Sequence, residues 1–224
     1  YKPFIIAEMS GNHNQSLNNA LSPVDLAAKN GANIIKLQTY KPETMTLNLN
    51  HGEFKIKDEK SLWHNKSLFE LYKIGSTPWE WHEKIIKRAK KNNIICISTP
   101  FDETAVDFLE KLKMPAYKIA SFENTDHLLL KKVAKTNKPI IISTGMANIA
   151  EIHESIDIIK SNGNSQIVLL KCTSTYPAKP EDSNLKSIKT MQEIFNCYIG
   201  FSDHTLGIGT SIAAISLGAK IIEK

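Results

Sequence analysis

The stretch PIIIS, residues 139–143, places three consecutive isoleucines between a proline and a serine. Isoleucine is β-branched and favours strands, and an unbroken apolar run is typical of a strand that is buried on both faces. Seven similar runs occur along the chain: FIIAE (4–8), NIIKLQ (33–38), IICIS (94–98), AYKIA (116–120), IVLLK (167–171), YIGF (198–201) and KIIEK (220–224). The sequence therefore predicts eight short buried strands.

Helical patterns lie between these runs. The stretch Thr77–Glu80 predicts a helix start with Thr77 as the N-cap, and Asn148 with Glu151 repeats the same cap-to-N3 spacing. Glycines stand where three helices are expected to end, at Gly31, Gly163 and Gly218. Strands that alternate with helices indicate a parallel α/β fold.

Eight strands favour closure as a (β/α)8 TIM barrel, and we predict a single barrel domain over residues 1–224. The segment 39–76 is too long for a plain connection, and we interpret it as an elaborated loop over the barrel mouth. Because no helix follows the eighth strand, we expect the barrel to be incomplete at its C-terminal end.

Composition argues against two classes of partner. The chain has 28 basic and 23 acidic residues but no arginine-rich stripe with interleaved aromatics, so nucleic-acid binding is not expected. No apolar run approaches the roughly 18 residues of a membrane span, and no signal peptide opens the sequence. Cys96, Cys172 and Cys197 lack metal-type spacing and lie in or beside apolar runs, so buried thiols in the cytoplasm are expected.

In (β/α)8 barrels the chemistry lies at the carboxyl ends of the strands. Lysine supplies point charges there and hydroxyls supply directed donors, as a phosphorylated carboxylic acid requires. The polar residues at or just after the predicted strand ends are Glu8, Ser10, Asn12, His13, Asn14, Lys36, Gln38, Ser98, Thr99, Lys118, Ser121, Ser143, Thr144, Lys171, Thr173, Ser174, Tyr176, Ser202, Asp203, His204 and Glu223. This set predicts an anion pocket.

Two histidines in this set have alternative interpretations. His204 is either a buried structural histidine or a ligand of a divalent metal, and Asp203 beside it and Glu223 on the next strand favour the metal. One histidine and distant acids do not complete such a site. His13 is interpreted as a loop-ordering residue or a substrate contact.

Seven motifs, in order, resemble the sialic acid synthase family: IAEMSGNHNQS, GANIIKLQTY, ISTPFDETAVDFL, YKIASFENTD, STGMA, LLKCTSTYP and GFSDHTLGIG. The resemblance implies a condensation of phosphoenolpyruvate with an amino sugar to give a nine-carbon sialic-type acid. The stretches TYKPETMTL, TPWEWH and SFENTD are similar to the pseudaminic acid branch, which implies a 2,4-diacetamido-2,4,6-trideoxy hexose as the sugar. The alternative is the N-acetylneuraminate branch, which uses N-acetylmannosamine.

The resemblance also implies a (β/α)8 barrel followed by a C-terminal antifreeze-like (SAF) domain, in a swapped homodimer. It implies a divalent metal, most often Mn2+ with Mg2+ or Co2+ as alternatives, on two histidines. His204 matches the first histidine, and the second is expected directly after Lys224. The phosphoenolpyruvate contacts carry over to Lys36, Thr99, Lys118, Ser121, Ser143 and Ser202, with Ser174 in place of the family's asparagine.

The sugar contacts implied by the resemblance are Glu8, Gln38 and Tyr176, and Asn65 is a candidate for a further asparagine contact. Glu8 and Glu223 are the candidates to orient or deprotonate a water or a sugar hydroxyl. Two other functions stay open. Lys171 could form a Schiff base with pyruvate in a barrel aldolase, or the barrel could bind a phosphosugar without catalysis.

Overall fold

The computed structural model describes residues 2–11 and 13–224. Tyr1 and Asn12 therefore lie outside the described residues, and Asn12 is one of the polar residues expected after the first strand. Among the helices of the described ranges, none combines the length and the apolar character needed to cross a bilayer.

Eight strands form one closed parallel barrel in which each strand pairs with its neighbour in the chain. The last strand pairs with the first, with Phe4 opposite Ile221, and this pairing closes the barrel. The strands are β1 (Phe4–Glu8), β2 (Ile34–Thr39), β3 (Ile95–Pro100), β4 (Tyr117–Ile119), β5 (Ile140–Ser143), β6 (Ile167–Cys172), β7 (Tyr198–Ser202) and β8 (Ile221–Glu223). The predicted (β/α)8 architecture is confirmed.

The helices pack around this barrel: α1 (Leu17–Lys29), α2 (Pro42–Met45), α3 (Leu68–Gly75), α4 (Trp79–Lys91), α5 (Glu103–Lys111), α6 (His127–Ala134), α7 (Ile149–Ser161), α8 (Ser187–Phe195) and α9 (Gly209–Ser216). The short helices α2 and α3 belong to the long segment that follows β2. Gly31, Gly163 and Gly218 follow the ends of α1, α7 and α9, as predicted, and all three have positive φ angles.

One predicted helix cap is confirmed and one is wrong. Asn148 and Glu151 form a reciprocal capping box at the start of α7. Helix α4 instead begins one residue after Pro78 and has no side-chain cap. The hydroxyl of Thr77 donates to the carbonyl of Gly11 at 2.9 Å, so this side chain ties the loop after β1 to the start of α4.

Side chains alternate between the inside of the barrel and the helices along every strand. A small apolar cluster fills the inside: Ile6, Ile34, Ile97, Ile141 and Leu170. Alternate residues such as Ile35 and Leu169 pack in two other clusters with the helices. The inside of the barrel is therefore closed by packed aliphatic side chains below its carboxyl end.

Candidate active site

One side chain from each strand lies directly above this apolar layer, and all eight line one cavity at the carboxyl end of the barrel. Most follow an inward aliphatic residue by two positions, as the period of a strand requires. We call this set the mouth ring: Glu8, Lys36, Thr99, Lys118, Ser143, Cys172, Ser202 and Glu223. Seven of its eight members were predicted as site residues from the sequence.

Two lysines and two carboxylates alternate at the base of the cavity. Lys36 Nζ lies 2.5 Å from a carboxylate oxygen of Glu8 and 3.2 Å from one of Glu223. Lys118 Nζ lies 3.5 Å from the other carboxylate oxygen of Glu223. Glu223 therefore bridges both lysines, and this arrangement requires the closure of β8 against β1.

Burial and charge act in opposite directions on these groups. Burial alone would lower the pKa of Lys36, but the carboxylates of Glu223 and Glu8 outweigh it and raise that pKa above its ordinary value. Burial would raise the pKa of Glu223, but Lys118 and Lys36 hold it well below its usual range. Burial also lowers the pKa of Lys118, with Lys36 as a second cause. Glu223 therefore stays ionised between the two lysines.

Hydroxyl groups complete the base of the cavity. Lys118 Nζ donates to Ser143 Oγ at 2.6 Å, and Ser202 Oγ donates to a carboxylate oxygen of Glu223 at 2.9 Å. The hydroxyl of Thr99 is buried and has no hydrogen-bond partner among the described residues. A buried hydroxyl without a partner is costly, so Thr99 is suited to a ligand group that enters the cavity.

Ser121 and Ser174 come close together just after β5, because Gly145 has no side chain to keep them apart. A Cβ atom on Gly145 would lie 2.3 Å from Ser174 Oγ and 3.0 Å from Ser121 Oγ. The backbone N–H of Gly145 donates to Ser121 Oγ at 3.2 Å. Ser121 lines the cavity, whereas Ser174 lies beside the lining residue Cys172, with Oγ 3.7 Å from its sulfur.

His204 and Tyr176 form another side of the cavity. His204 Nδ1 lies 3.0 Å from the carbonyl oxygen of Thr173, so this nitrogen carries the proton and donates. The rings of Tyr176 and His204 lie against each other with centroids 4.2 Å apart. In the neutral ring, Nε2 is then the nitrogen with a free lone pair, and it lies 3.5 Å from Ser202 Oγ. Metal-binding histidines are held in the same way, with one ring nitrogen donating to a carbonyl.

The metal site stays a prediction. His204 fits as one ligand because its tautomer and orientation are set by Thr173. Within residues 2–11 and 13–224, no group of three His, Cys, Asp or Glu side chains is arranged to hold a metal ion. The described residues alone do not supply a complete donor set.

Several of the predicted polar strand-end residues do not line the cavity, and Lys171 and Asp203 are among them. Lys171 is an outward residue of β6, lines a groove between α7 and α8, and donates to the carbonyl of Cys172 at 2.8 Å. Asp203 accepts hydrogen bonds from Thr205 and Ser211 and does not line the cavity. The geometry thus opposes the Schiff-base alternative for Lys171 and the participation of Asp203 in a metal site.

Ser98 also points away from the cavity. Its hydroxyl lies 2.7 Å from that of Thr39, which lies 2.8 Å from Nε2 of the buried His82. Burial lowers the pKa of His82 to about 4, so this ring is neutral. The three residues tie β2, β3 and α4 together outside the barrel.

Four residues that line the cavity were not predicted as site residues from the sequence: Cys172, Phe101, Ala120 and Phe122. Cys172 was expected only as a buried thiol, yet its sulfur lies 3.9 Å from His204 Nδ1. The strand period contains the missed signal, because Leu170 is inward and Cys172 follows it by two positions. The apolar lining residues have no comparable signal.

Comparisons with known proteins give a consistent assignment. The sequence profile of the NeuB family matches residues 23–224. The pseudaminic acid synthase of Campylobacter jejuni subsp. jejuni serotype O:2 is 46% identical over 223 residues, which cover 100% of this chain and 64% of that protein. The pseudaminic acid synthase of Helicobacter pylori is 46% identical over 222 residues, which cover 99% of this chain and 65% of that protein.

The chain therefore spans less than two thirds of the length of these curated relatives. Among solved structures, the N-acetylneuraminic acid synthetase of Leptospira borgpetersenii, in complex with citrate, superposes with a TM-score of 0.87 at 33% identity. That match covers 100% of this chain and 73% of the other.

Proposed function

The chain belongs to the NeuB family, and from this membership we propose that it condenses phosphoenolpyruvate with a 2,4-diacetamido-2,4,6-trideoxy hexose. C3 of phosphoenolpyruvate bonds to the sugar aldehyde carbon, water adds at C2, and phosphate leaves with cleavage of the C–O bond. The product is a nine-carbon sialic-type acid. The 46% identity to pseudaminic acid synthases supports this sugar over N-acetylmannosamine, the substrate of the alternative branch.

The observation that carries the proposal is the pair of buried lysines at the base of a cavity rimmed with hydroxyls. Phosphoenolpyruvate has two anionic groups, and Lys36 and Lys118 supply two cationic ones within one cavity. Ser143 accepts a hydrogen bond from Lys118, Ser202 donates one to Glu223, and the Thr99 hydroxyl is free to donate to the ligand. We assign the lining residues Lys36, Thr99, Lys118, Ser121, Ser143 and Ser202 to this substrate. Ser174, which the family resemblance also implies, lies beside the lining residue Cys172, and its contact stays a prediction.

The two glutamates have different environments, which supports different roles. Glu223 is buried between two lysines and stays ionised, so it is suited to holding the lysine side chains in position. Glu8 is more exposed to the cavity and contacts Lys36 only through one oxygen. Glu8 can therefore orient the water that adds at C2 and accept its proton, or bind a sugar hydroxyl together with Gln38 and Tyr176.

His204 would hold a divalent metal through Nε2, and we propose Mn2+, with Mg2+ or Co2+ as alternatives. When bound, the metal would polarise the sugar aldehyde as a Lewis acid. The chain's own contribution is to fix the tautomer of His204 through the Thr173 carbonyl. The homodimer implied by the family resemblance stays a prediction.

The proposal is tested by phosphate release from phosphoenolpyruvate by the full-length gene product, with Mn2+ or with EDTA. The diacetamido trideoxy sugar and N-acetylmannosamine are compared in parallel. We expect release with the first sugar and its loss in EDTA. Preference for N-acetylmannosamine would move the protein to the other branch, and no release with either sugar in Mn2+ would contradict the synthase proposal.

Two lysine variants provide a matched control. Lys36→Met removes a mouth-ring cation and should abolish phosphate release, because one substrate anion loses its partner. Lys171→Met removes a cation outside the cavity and should retain release. The opposite result would favour the Schiff-base alternative, which trapping with borohydride and pyruvate would then detect.

A further inference from the structure

The cavity above the mouth ring has sides of different chemistry. Ser10 and Gln38 lie on the side of β1 and β2, and both can form hydrogen bonds. The side next to β3 and β4 is mainly apolar, with Phe101, Ala120 and Phe122 beside the hydroxyl of Ser121. A ligand in this cavity therefore meets hydrogen-bonding groups on one side and hydrocarbon on the other.

Phe122 is the exposed member of the apolar side. It lies in a short 3-10 turn, Ser121–Glu123, directly after the carboxyl end of β4. Ser121 is buried at the cavity, whereas 64% of the Phe122 surface is exposed. Phe101 is held from behind by an edge-to-face contact with Tyr40, with centroids 5.5 Å apart. Phe122 is therefore an exposed apolar residue of the cavity lining, and a ligand at this point would cover it.

The depth of these residues sets the direction of a bound sugar. Lys36 is 7% and Lys118 is 2% exposed, so the phosphoenolpyruvate anions would bind at the base of the cavity. The aldehyde carbon of the sugar must approach that substrate and therefore points inward. The opposite end of the sugar, with C6, then points outward, where the exposed Phe122 lines the cavity.

We propose that Phe122 is a specificity-determining residue that packs against the C6 methyl group of a 6-deoxy amino sugar. This inference rests on the proposed function and adds the group that distinguishes the sugar. An aromatic face gains from covering a methyl group and gives a hydroxyl no hydrogen bond. Apolar pockets distinguish one methyl or hydroxyl group by about 10- to 200-fold, which sets the scale of the effect.

The test compares two sugars of the same configuration that differ only at C6, the 2,4-diacetamido-2,4,6-trideoxy hexose and its 6-hydroxy analogue. The kcat/KM for each is measured by phosphate release from the full-length gene product with Mn2+. We expect Phe122→Ser to reduce the preference for the 6-deoxy sugar by about 10-fold or more, mainly through a lower kcat/KM for that sugar. Phe122→Leu keeps an apolar contact and should retain most of the preference.

Leu128→Ala is the matched control, because Leu128 is 67% exposed near the start of α6 and does not line the cavity. It should leave the preference unchanged. An equal loss with both sugars in Phe122→Ser, at an unchanged ratio, would mean that Phe122 only supports the loop and would overturn the inference. A wild-type protein that releases phosphate with neither sugar would instead overturn the proposed function, and this inference with it.

Discussion

Replacing Glu223 by glutamine should destabilise the barrel through Lys118. The substitution keeps the size of the side chain and an oxygen that can accept from Ser202, but it removes the charge between the two lysines. Lys36 keeps its contact with Glu8. Among the described residues, Lys118 has no second carboxylate within 4.0 Å, so this buried ammonium loses its only close counter-charge.

The magnitude follows from the distance. Two unit charges 3.5 Å apart attract by about 5 kcal/mol at an effective dielectric constant of about 20. Removing one partner of a buried pair costs about 3–5 kcal/mol in measured cases. At about 2–4 °C per kcal/mol for a domain of this size, we expect Tm to fall by about 6–20 °C.

The pH dependence identifies the cause. Without Glu223, the pKa of Lys118 in the folded state falls further below its value in the unfolded state. Between those two values the unfolded state binds more protons, so the stability of the variant rises with pH. The difference in free energy of unfolding between Glu223→Gln and the wild type should therefore narrow from about pH 7 to about pH 10.

Urea unfolding of both proteins at several pH values measures this difference. Glu83→Gln is the control, because it removes an exposed carboxylate that pairs with Lys87 on the surface of α4 and should cause no measurable change. The reasoning is refuted if Glu223→Gln is as stable as Glu83→Gln. It is also refuted if the loss does not depend on pH, because Lys118 would then not be its source.

Two other substitutions test separate features. Burial raises the pKa of Glu123 to about 7, so ionisation of this side chain lowers the stability of the folded protein as pH rises. In urea unfolding, Glu123→Gln should be about 1–2 kcal/mol more stable than the wild type at pH 8 but not at pH 4. Lower stability at pH 8 would contradict this. Gly200→Ala places a Cβ atom 2.5 Å from Leu170 Cδ2 inside the barrel and should cost about 1–3 kcal/mol or more in thermal unfolding. Gly209→Ala, with nothing within 4 Å of its Cβ, should cost less, and equal losses would mean that crowding is not the cause.

The strands and most of the mouth ring could be predicted from the sequence because both depend on local patterns. Buried isoleucine runs identify the strands, and polar residues at their ends identify the carboxyl face. From the sequence, Lys171 was expected in the site and Cys172 was not, because both residues lie at the end of β6 and only that position was considered. The alternation of inward and outward side chains along the strand was left out. Counting by two from Leu170 separates them.

Other features depend on contacts between distant parts of the chain. The bridge from Glu8 through Lys36 and Glu223 to Lys118 exists only when β8 closes against β1. The tautomer of His204 depends on a carbonyl in the loop after β6. No sequence pattern specifies these distances. In the sequence Phe122 cannot be distinguished from any other exposed aromatic residue, and only the barrel brings it to the same cavity as Lys36 and Lys118.

The mouth ring has a consequence for how this barrel tolerates change in length. Each strand contributes one ring side chain, and its neighbours in the strand face the helices. Deletion of a single residue from β6 would turn a neighbour such as Lys171 inward and would turn Cys172 out of the mouth ring. The amino-acid composition of the strand would hardly change. Insertions and deletions should therefore accumulate in connections such as the segment after β2, while the strands keep their length even where their residues vary.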